Sequence, residues 1–272
     1  MNNTNSSDKD VLIHEIEKNL WETWANFGRG PGCTLHERED MLWFETPLPF
    51  PPYNGMLRFQ VRDNVDQAID QVIEHFARKQ VQLVWVLHPS SHPSDLHQRL
   101  LDRGLMDVEP IIGMARTLDD LPEPPPLPDD ITIREVVDSR DVTALTQFAS
   151  WRWNVPEEYS QHYMKIIESF RFGQSGSRAH MWQAWRDGQP VAKAGMNLGS
   201  SAAGIYAVAT KPEARKLGLA RALTLAALRH AREQGYNLAV LHSSPMAVNL
   251  YSGMGFDTLA EFRLFASGEF HV

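Results

Sequence analysis

Tyr206-Ala207-Val208-Ala209-Thr210-Lys211-Pro212-Glu213-Ala214-Arg215-Lys216-Leu217-Gly218-Leu219-Ala220 reads as a strand, a basic turn and the opening of a helix. The small, apolar and partly β-branched run from Gly204 to Thr210 suits a buried strand. Pro212 ends its ladder because it lacks an N–H. Beyond it, Leu219, Ala222, Leu223, Ala226 and Ala227 recur at spacings of three and four, with Arg221, Thr224, Arg229 and Arg232 mostly opposite. That pattern predicts an amphipathic helix from Leu217 to about Gln234, capped by Gly235. The first turn of a helix offers unpaired N–H groups and a partial positive charge, a combination that binds phosphate. Gly218 has no side chain and Ala220 only a methyl, so amides from Arg215 to Ala220 can close on a pyrophosphate, with Arg215 and Lys216 adding charge. An ordinary helix start with a glycine in its first turn shares this local pattern. The stretch therefore has to be weighed with its surroundings.

The stretch resembles motif A of the GNAT acetyltransferase superfamily, whose pattern is Arg/Gln-x-x-Gly-x-Gly/Ala. Arg215, Gly218 and Ala220 fill those places, and Pro212-Glu213 with the preceding strand matches the usual run-in. The resemblance implies that acetyl-CoA is the cosubstrate, with its pyrophosphate on the amides of 215–220. It also implies that the pantetheine arm pairs like an extra strand with Val208, Ala209 and Thr210, which requires a splayed or bulged sheet edge.

A second segment agrees. Asn237 to His242 reads as a strand, and Ser244-Pro245 as an N-cap followed by proline at the first helical position. Ala247-Val248-Asn249-Leu250-Tyr251-Ser252-Gly253-Met254-Gly255-Phe256 then resembles the family's motif B. In that family the tyrosine commonly protonates the departing CoA thiolate, and a phenol with a pKa of about 10 keeps its proton at neutral pH. A helix tyrosine packed on the core is the alternative reading of Tyr251. The resemblance implies one catalytic residue, Tyr251, and no metal. The cofactor-binding set it implies is Val208, Ala209, Thr210, Arg215, Lys216, Leu217, Gly218, Leu219, Ala220, Arg221 and Asn249.

The chain has 272 residues, 43% of them hydrophobic, which suits about two domains and argues against disorder. A formal net charge of −8 makes a non-specific nucleic-acid surface a poor fit. Cys33 is the single cysteine, so no internal disulfide forms, and a reducing cytosol is the expected compartment. It reads as an inert strand residue. No apolar run reaches the ~18 residues of a membrane helix, and no partner membrane is expected. Met1 to Asp10 reads as a polar, frayed tail.

Val11 to Phe27 predicts a helix, followed by strands near Cys33–Arg38, Met41–Thr46 and Met56–Val61. Asn64 to Lys79 is helical, Gln82 to His88 a strand, Pro93 to Arg103 a helix and Ile111 to Leu118 a strand. Pro122, Pro124, Pro125, Pro126 and Pro128 among acidic residues make 119–130 an extended linker between domains 1–118 and 131–272. The second half starts with strand Ile131–Val136, then helices Ser139–Ser150 and Pro156–Phe172, with Trp151 and Trp153 at the corner between them. A hairpin turning at Asp187-Gly188 joins 178–186 to 191–198, and Phe256 to Ala266 closes the chain. That order is the GNAT order. The expected fold is α/β: a mixed sheet flanked by helices in each of two tandem GNAT-like domains.

The two halves share a pattern. Ala77 to His88 lies against Ala231 to His242 with Ala, Arg, Gln, Val, Leu and His coincident, so the first half reads as a degenerate copy. At the places of Arg215, Gly218 and Ala220 it has Val61, Asn64 and Asp66, and Leu100 stands where Tyr251 does. Asp63 and Asp66 are expected to repel a pyrophosphate there, leaving 1–118 without cofactor and shaping the acceptor pocket. His88 and His242 are matching positions, so both are expected to be structural.

The resemblance implies direct attack of an amine on the acetyl carbonyl, with the oxyanion held by the amide of Val208 or Ala209. Glu157, Glu158 and His180 are candidate bases by location only. Trp151, Trp153, Tyr159, Tyr163, Trp182 and Trp185 are candidates for a pocket wall, and core packing explains them equally well. The acceptor is a small-molecule or protein amine. A non-catalytic acyl-CoA-binding or sensing module is the alternative, and only the enzyme needs Tyr251.

Overall fold

The computed structural model describes residues 6–269. In chain order the elements are α1 (Ser6–Trp24), β1 (Thr34–Glu37), β2 (Met41–Glu45), β3 (Gly55–Phe59), α2 (Val65–Arg78), β4 (Val84–Leu87), α3 (Leu96–Asp102), β5 (Met106–Asp107) and β6 (Ile111–Thr117). There follow β7 (Thr132–Glu135), α4 (Ser139–Trp153), α5 (Ser160–Ser169), β8 (Ala179–Arg186), β9 (Gln189–Leu198) and β10 (Ala203–Thr210). The chain closes with α6 (Leu219–Glu233), β11 (Leu238–Ser243), α7 (Val248–Ser252) and β12 (Asp257–Ala266). Among the described residues, one compact unit takes 6–113, 243–246 and 259–269, and the other takes 114–242 and 247–258. The units thus exchange chain ends: 114–118 belongs to the second, and most of β12 to the first.

In the first unit β1 with β2 and β2 with β3 are antiparallel, and β3 lies parallel to β4 (Gly55↔Val84) across the crossover helix α2. β12 adds to β4 antiparallel, with Arg263 opposite Leu87 and Phe265 opposite Trp85. Ile69, Val72 and Phe76, one helical face of α2, bury against Met56, Phe59, Trp85, Leu100 and Phe265. The 3.6-residue period of that face places it on the sheet.

The second unit repeats the scheme. β7, β8, β9 and β10 are successive antiparallel neighbours, and β11 lies parallel to β10 through α6. The β8–β9 hairpin turns on Asp187 (φ 49°) and Gly188 (φ 73°), the left-handed pair that a two-residue hairpin needs. Leu219, Ala222, Leu223, Ala227 and Leu228 are buried on α6, which packs across β8, β9 and β10. α4 covers β9, and its N-cap Asp138 accepts from the amide of Asp141 at 2.8 Å.

Some local expectations shift. α1 starts at Ser6, so 6–10 is helical rather than frayed; Asp8 in its first turn complements the helix dipole. Residues 1–5 lie outside the described part. α4 runs through Trp151 to Trp153 and stops at Asn154 in the left-handed region (φ 49°), so the two tryptophans occupy its last turn rather than a corner. The 119–130 segment has neither helix nor strand. Glu123 pairs with Arg229 at 3.1 Å and Asp130 with Arg186 at 2.8 Å, which ties this segment to the second unit.

β10 is broken by a bulge. Tyr206 pairs with Gly195 and Ala209 with Lys193, so two residues, Ala207 and Val208, face one on β9. Ala207 carries the bend at φ 54°, a conformation in which a Cβ costs roughly 1 kcal/mol. Ala207→Gly should stabilise the protein by about 1 kcal/mol in urea unfolding, and Ala207→Val should destabilise it. A lower midpoint for the glycine variant would contradict the left-handed bend.

Candidate active site

A cleft of about 330 Å³ opens at the start of α6, lined by Thr210, Ala214, Arg215, Lys216, Gly218, Leu219, Ala220, Arg221 and Leu250. The turn into the helix passes through two left-handed residues, Lys216 (φ 64°) and Gly218 (φ 77°). Gly218 is the N-cap and supplies no side chain to the helix amides. The amides of Leu219, Ala220 and Arg221 have no acceptor within their own helix, which is the geometry of every first turn. Arg221 donates from Nη1 to the Gly253 carbonyl at 2.8 Å, fastening this turn to the end of α7. Arg215, Lys216 and Arg221 give the cleft three cations, and no aspartate or glutamate lines it. A Cβ on Gly218 would lie 3.1 Å from the Pro125 ring, so the position is confined by space as well as by φ.

The expected site residues fall into two groups. Thr210, Arg215, Lys216, Gly218, Leu219, Ala220 and Arg221 line the cleft. Val208 and Ala209 sit on β10 at and after the bulge, Leu217 is half-buried in the turn, and Asn249 is exposed on α7. The parallel ladder to β11 covers Ala203, Gly204 and Ile205, yet β10 continues to Thr210. Beyond Ile205 the two strands diverge, leaving a backbone edge beside the cleft. Tyr251 follows the cleft residue Leu250, is 7% exposed and packs edge-on against Phe256 at 6.0 Å between ring centroids. Burial pushes its phenol up to about 12, so it remains a proton donor at any physiological pH.

Residues 145–256 match the model of the Acetyltransferase (GNAT) family. The chain carries a GNAT acetyltransferase domain. Among curated proteins it is similar to a mycothiol acetyltransferase of Thermomonospora curvata, 29% identical over 162 residues. That alignment covers 58% of this chain and 54% of the relative, so the match spans about half the relative's length. A GCN5-related N-acetyltransferase from Kribbella flavida has the same fold, with a TM-score of 0.68, 18% identity, and coverage of 96% of this chain and 97% of that one. So does a tandem GNAT protein from the clavulanic acid biosynthesis pathway, with a TM-score of 0.62, 12% identity, and coverage of 98% and 97%. The fold is therefore the α/β tandem GNAT fold, and the GNAT family generally uses acetyl-CoA.

Within the GNAT domain two polar residues escaped the motif reading. Lys193 on β9 stands opposite Gln183 on one side and Ala209 on the other. It is 4% exposed, and burial, with the like charge of Arg152, lowers its pKa to about 8. Gln183 is fully buried, and among the described residues neither Oε1 nor Nε2 has a hydrogen-bond partner. A lysine inside the apolar run Val191-Ala192-Lys193-Ala194 is the sequence signal that could have found this pair.

The other candidates take other places. Glu157 and Glu158 are exposed on a 3₁₀ turn. His180 is bonded through Nδ1 to Glu135 at 2.8 Å and lies 4.4 Å from His230, ring to ring. Tyr163 and Trp182 are core residues, whereas Trp151 is 48% exposed, with the Lys211 ammonium 5.8 Å from its ring. His88 bonds Glu17 in the first unit, and His242 stacks near Tyr206. Burial raises the Cys33 thiol to about 11, which keeps it unreactive.

The first unit has its own version of the helix mouth. Asn64, at the place of Gly218, is the left-handed N-cap of α2 (φ 54°). Asp66 in the first turn pairs with Arg99 at 2.7 Å and Arg103 at 2.8 Å, and these hydrogen bonds hold its carboxyl below the usual range. The repulsion expected from Asp66 is thus largely neutralised by two arginines from the α3 segment.

Lys193 makes stability depend on pH. Its folded pKa of about 8 lies below the ordinary 10.5, so between those values the unfolded chain holds a proton that the fold has shed. Stability should rise with pH across that window, because the cost of burying the charge is fully present below pH 8. Lys193→Met should raise the thermal midpoint by roughly 5 °C at pH 7, with the gain fading toward pH 10.5. An unchanged midpoint at pH 7 would show that the ammonium is solvated in the fold.

Proposed function

We propose that the chain is an acetyl-CoA-dependent N-acetyltransferase that moves an acetyl group to an amine by direct attack. The observation that carries this reading is the cationic cleft at the left-handed turn into α6, which abuts a bulged strand that has parted from its neighbour. The residues present fit the cosubstrate: a glycine N-cap, unpaired first-turn amides and three cations suit a pyrophosphate. Arg215, Lys216, Gly218, Leu219, Ala220 and Arg221 would hold it, Leu217 would complete the turn, and the β10 edge at Val208, Ala209 and Thr210 would align the pantetheine arm. Acetyl-CoA, when bound, supplies an activated thioester.

Around it the chain has three tasks. An amide of the bulge, Val208 or Ala209, donates to oxygen as negative charge develops there. Tyr251 keeps its proton and donates it to the departing sulfur, while water takes the proton that the attacking amine sheds. Asn249 is placed to steady the arm from α7. The halves 1–118 and 131–272 are read as a duplicated pair in which the second keeps the cofactor site. The name of the curated relatives makes the acceptor of those enzymes the first amine to include in a panel.

Release of free CoA with a panel of amines tests the reading, alongside acetyl-CoA binding by calorimetry. Gly218→Asp puts a carboxylate against the pyrophosphate and should weaken binding at least about 100-fold. Tyr251→Phe should lower kcat roughly 10- to 100-fold with little change in binding. Tight binding without turnover on any amine, indifferent to Tyr251→Phe, would favour a sensing module instead.

A further inference from the structure

The β8–β9 pair buries more polar capacity than the fold uses. Gln183 is 0% exposed with both ends of its amide unpaired, and the Lys193 side chain lies across from it in register. Buried polar groups are satisfied as a rule, and a buried ammonium needs a counter-charge. Arg152 adds a further positive charge to the surroundings of Lys193, and among the described residues no carboxylate offsets it. At most the two side chains could satisfy each other through Oε1, and the amide hydrogens of Gln183 would still lack an acceptor.

The strand pattern says where this pair faces. Trp182 packs on His230 of α6, 5.5 Å between rings, so its neighbour Gln183 points to the opposite face, where α4 covers β9. Lys193 stands opposite Ala209, the first residue paired after the bulge. Lys211, two residues further along, lies over Phe148 and Trp151 of α4 at 5.8 Å from each ring. Two lysines, an arginine, an unused amide and two aromatic rings therefore lie on the face of the sheet that carries Ala209, on the strand segment assigned to the thioester.

We propose that Gln183 and Lys193 form the acceptor subsite and hold the carboxylate of an amino-acid-like acceptor, so that the substrate is a zwitterion and not a simple amine. This rests on the acetyltransferase reading above. Gln183 suits a zwitterion because Nε2 donates to the carboxylate while Oε1 accepts from the amine. Lys193 supplies the charge that the carboxylate neutralises. The cations also disfavour the acceptor's ammonium form, so its proton passes to water and the free amine attacks.

The test compares matched pairs, phenylalanine with 2-phenylethylamine and tryptophan with tryptamine, as acceptors for the full-length protein at saturating acetyl-CoA. Acetyl-CoA binding is measured by calorimetry for every variant. The carboxylated member should be preferred at least about 10-fold in kcat/KM. Lys193→Met and Gln183→Leu should each reduce that preference to about 2-fold or less while leaving acetyl-CoA affinity unchanged, and Lys193→Arg should retain part of it. Preference for the decarboxylated amine, turnover of neither carboxylated acceptor while acetyl-CoA binds, or undiminished preference in both variants would overturn the subsite. Failure of the wild-type protein to bind acetyl-CoA would instead remove the acetyltransferase reading, and the subsite with it.

Discussion

The left-handed turn at Gly218 is the constraint on which the rest of the second unit depends. It aims the first amides of α6 out of the helix toward the end of β10, and its φ of 77° leaves little tolerance for a side chain. The partial charge of the helix end and the side chains of Arg215, Lys216 and Arg221 then add in the same direction. Arg221 does double service, because its bond to the Gly253 carbonyl holds α7, and with it Tyr251, at a fixed distance from the turn. The bulge at Ala207 completes the arrangement by releasing the end of β10 from β11.

The first unit shows what the same turn becomes when its chemistry changes. Asn64 tolerates the left-handed N-cap, so the backbone course survives the loss of glycine. The first turn of α2 then receives Asp66, whose charge suits a helix N-terminus internally, and Arg99 and Arg103 close over it. The cleft just before α2, about 770 Å³, is lined by Arg38, Glu39, Asp40, Arg62 and Asp63, so its charge is mixed where the cleft at α6 is cationic.

Much of this was legible in the sequence because it rests on local patterns. The period of α6, the Gly218 and Ala220 spacing and the Asp187-Gly188 turn each need only a few neighbouring residues. The bulge was foreseen in kind but not in place, since Ala207 bends without the glycine that would mark it. The pairing of Asp66 with Arg99 and Arg103 joins residues more than thirty positions apart, so reading Asp66 as a free repulsive charge missed it. The assignment of 259–269 to the first unit also depends on long-range strand pairing that no local signal carries. Gln183 and Lys193 become informative only when register sets them side by side.

Amide hydrogen exchange read by mass spectrometry, with and without CoA, addresses the central claim most directly. Peptides covering 215–221 should exchange at least about 10-fold more slowly once CoA is added, because the amides of that turn gain acceptors. Peptides covering 61–67 should be unchanged. Protection of 61–67, or none at 215–221 under saturating CoA, would contradict the account.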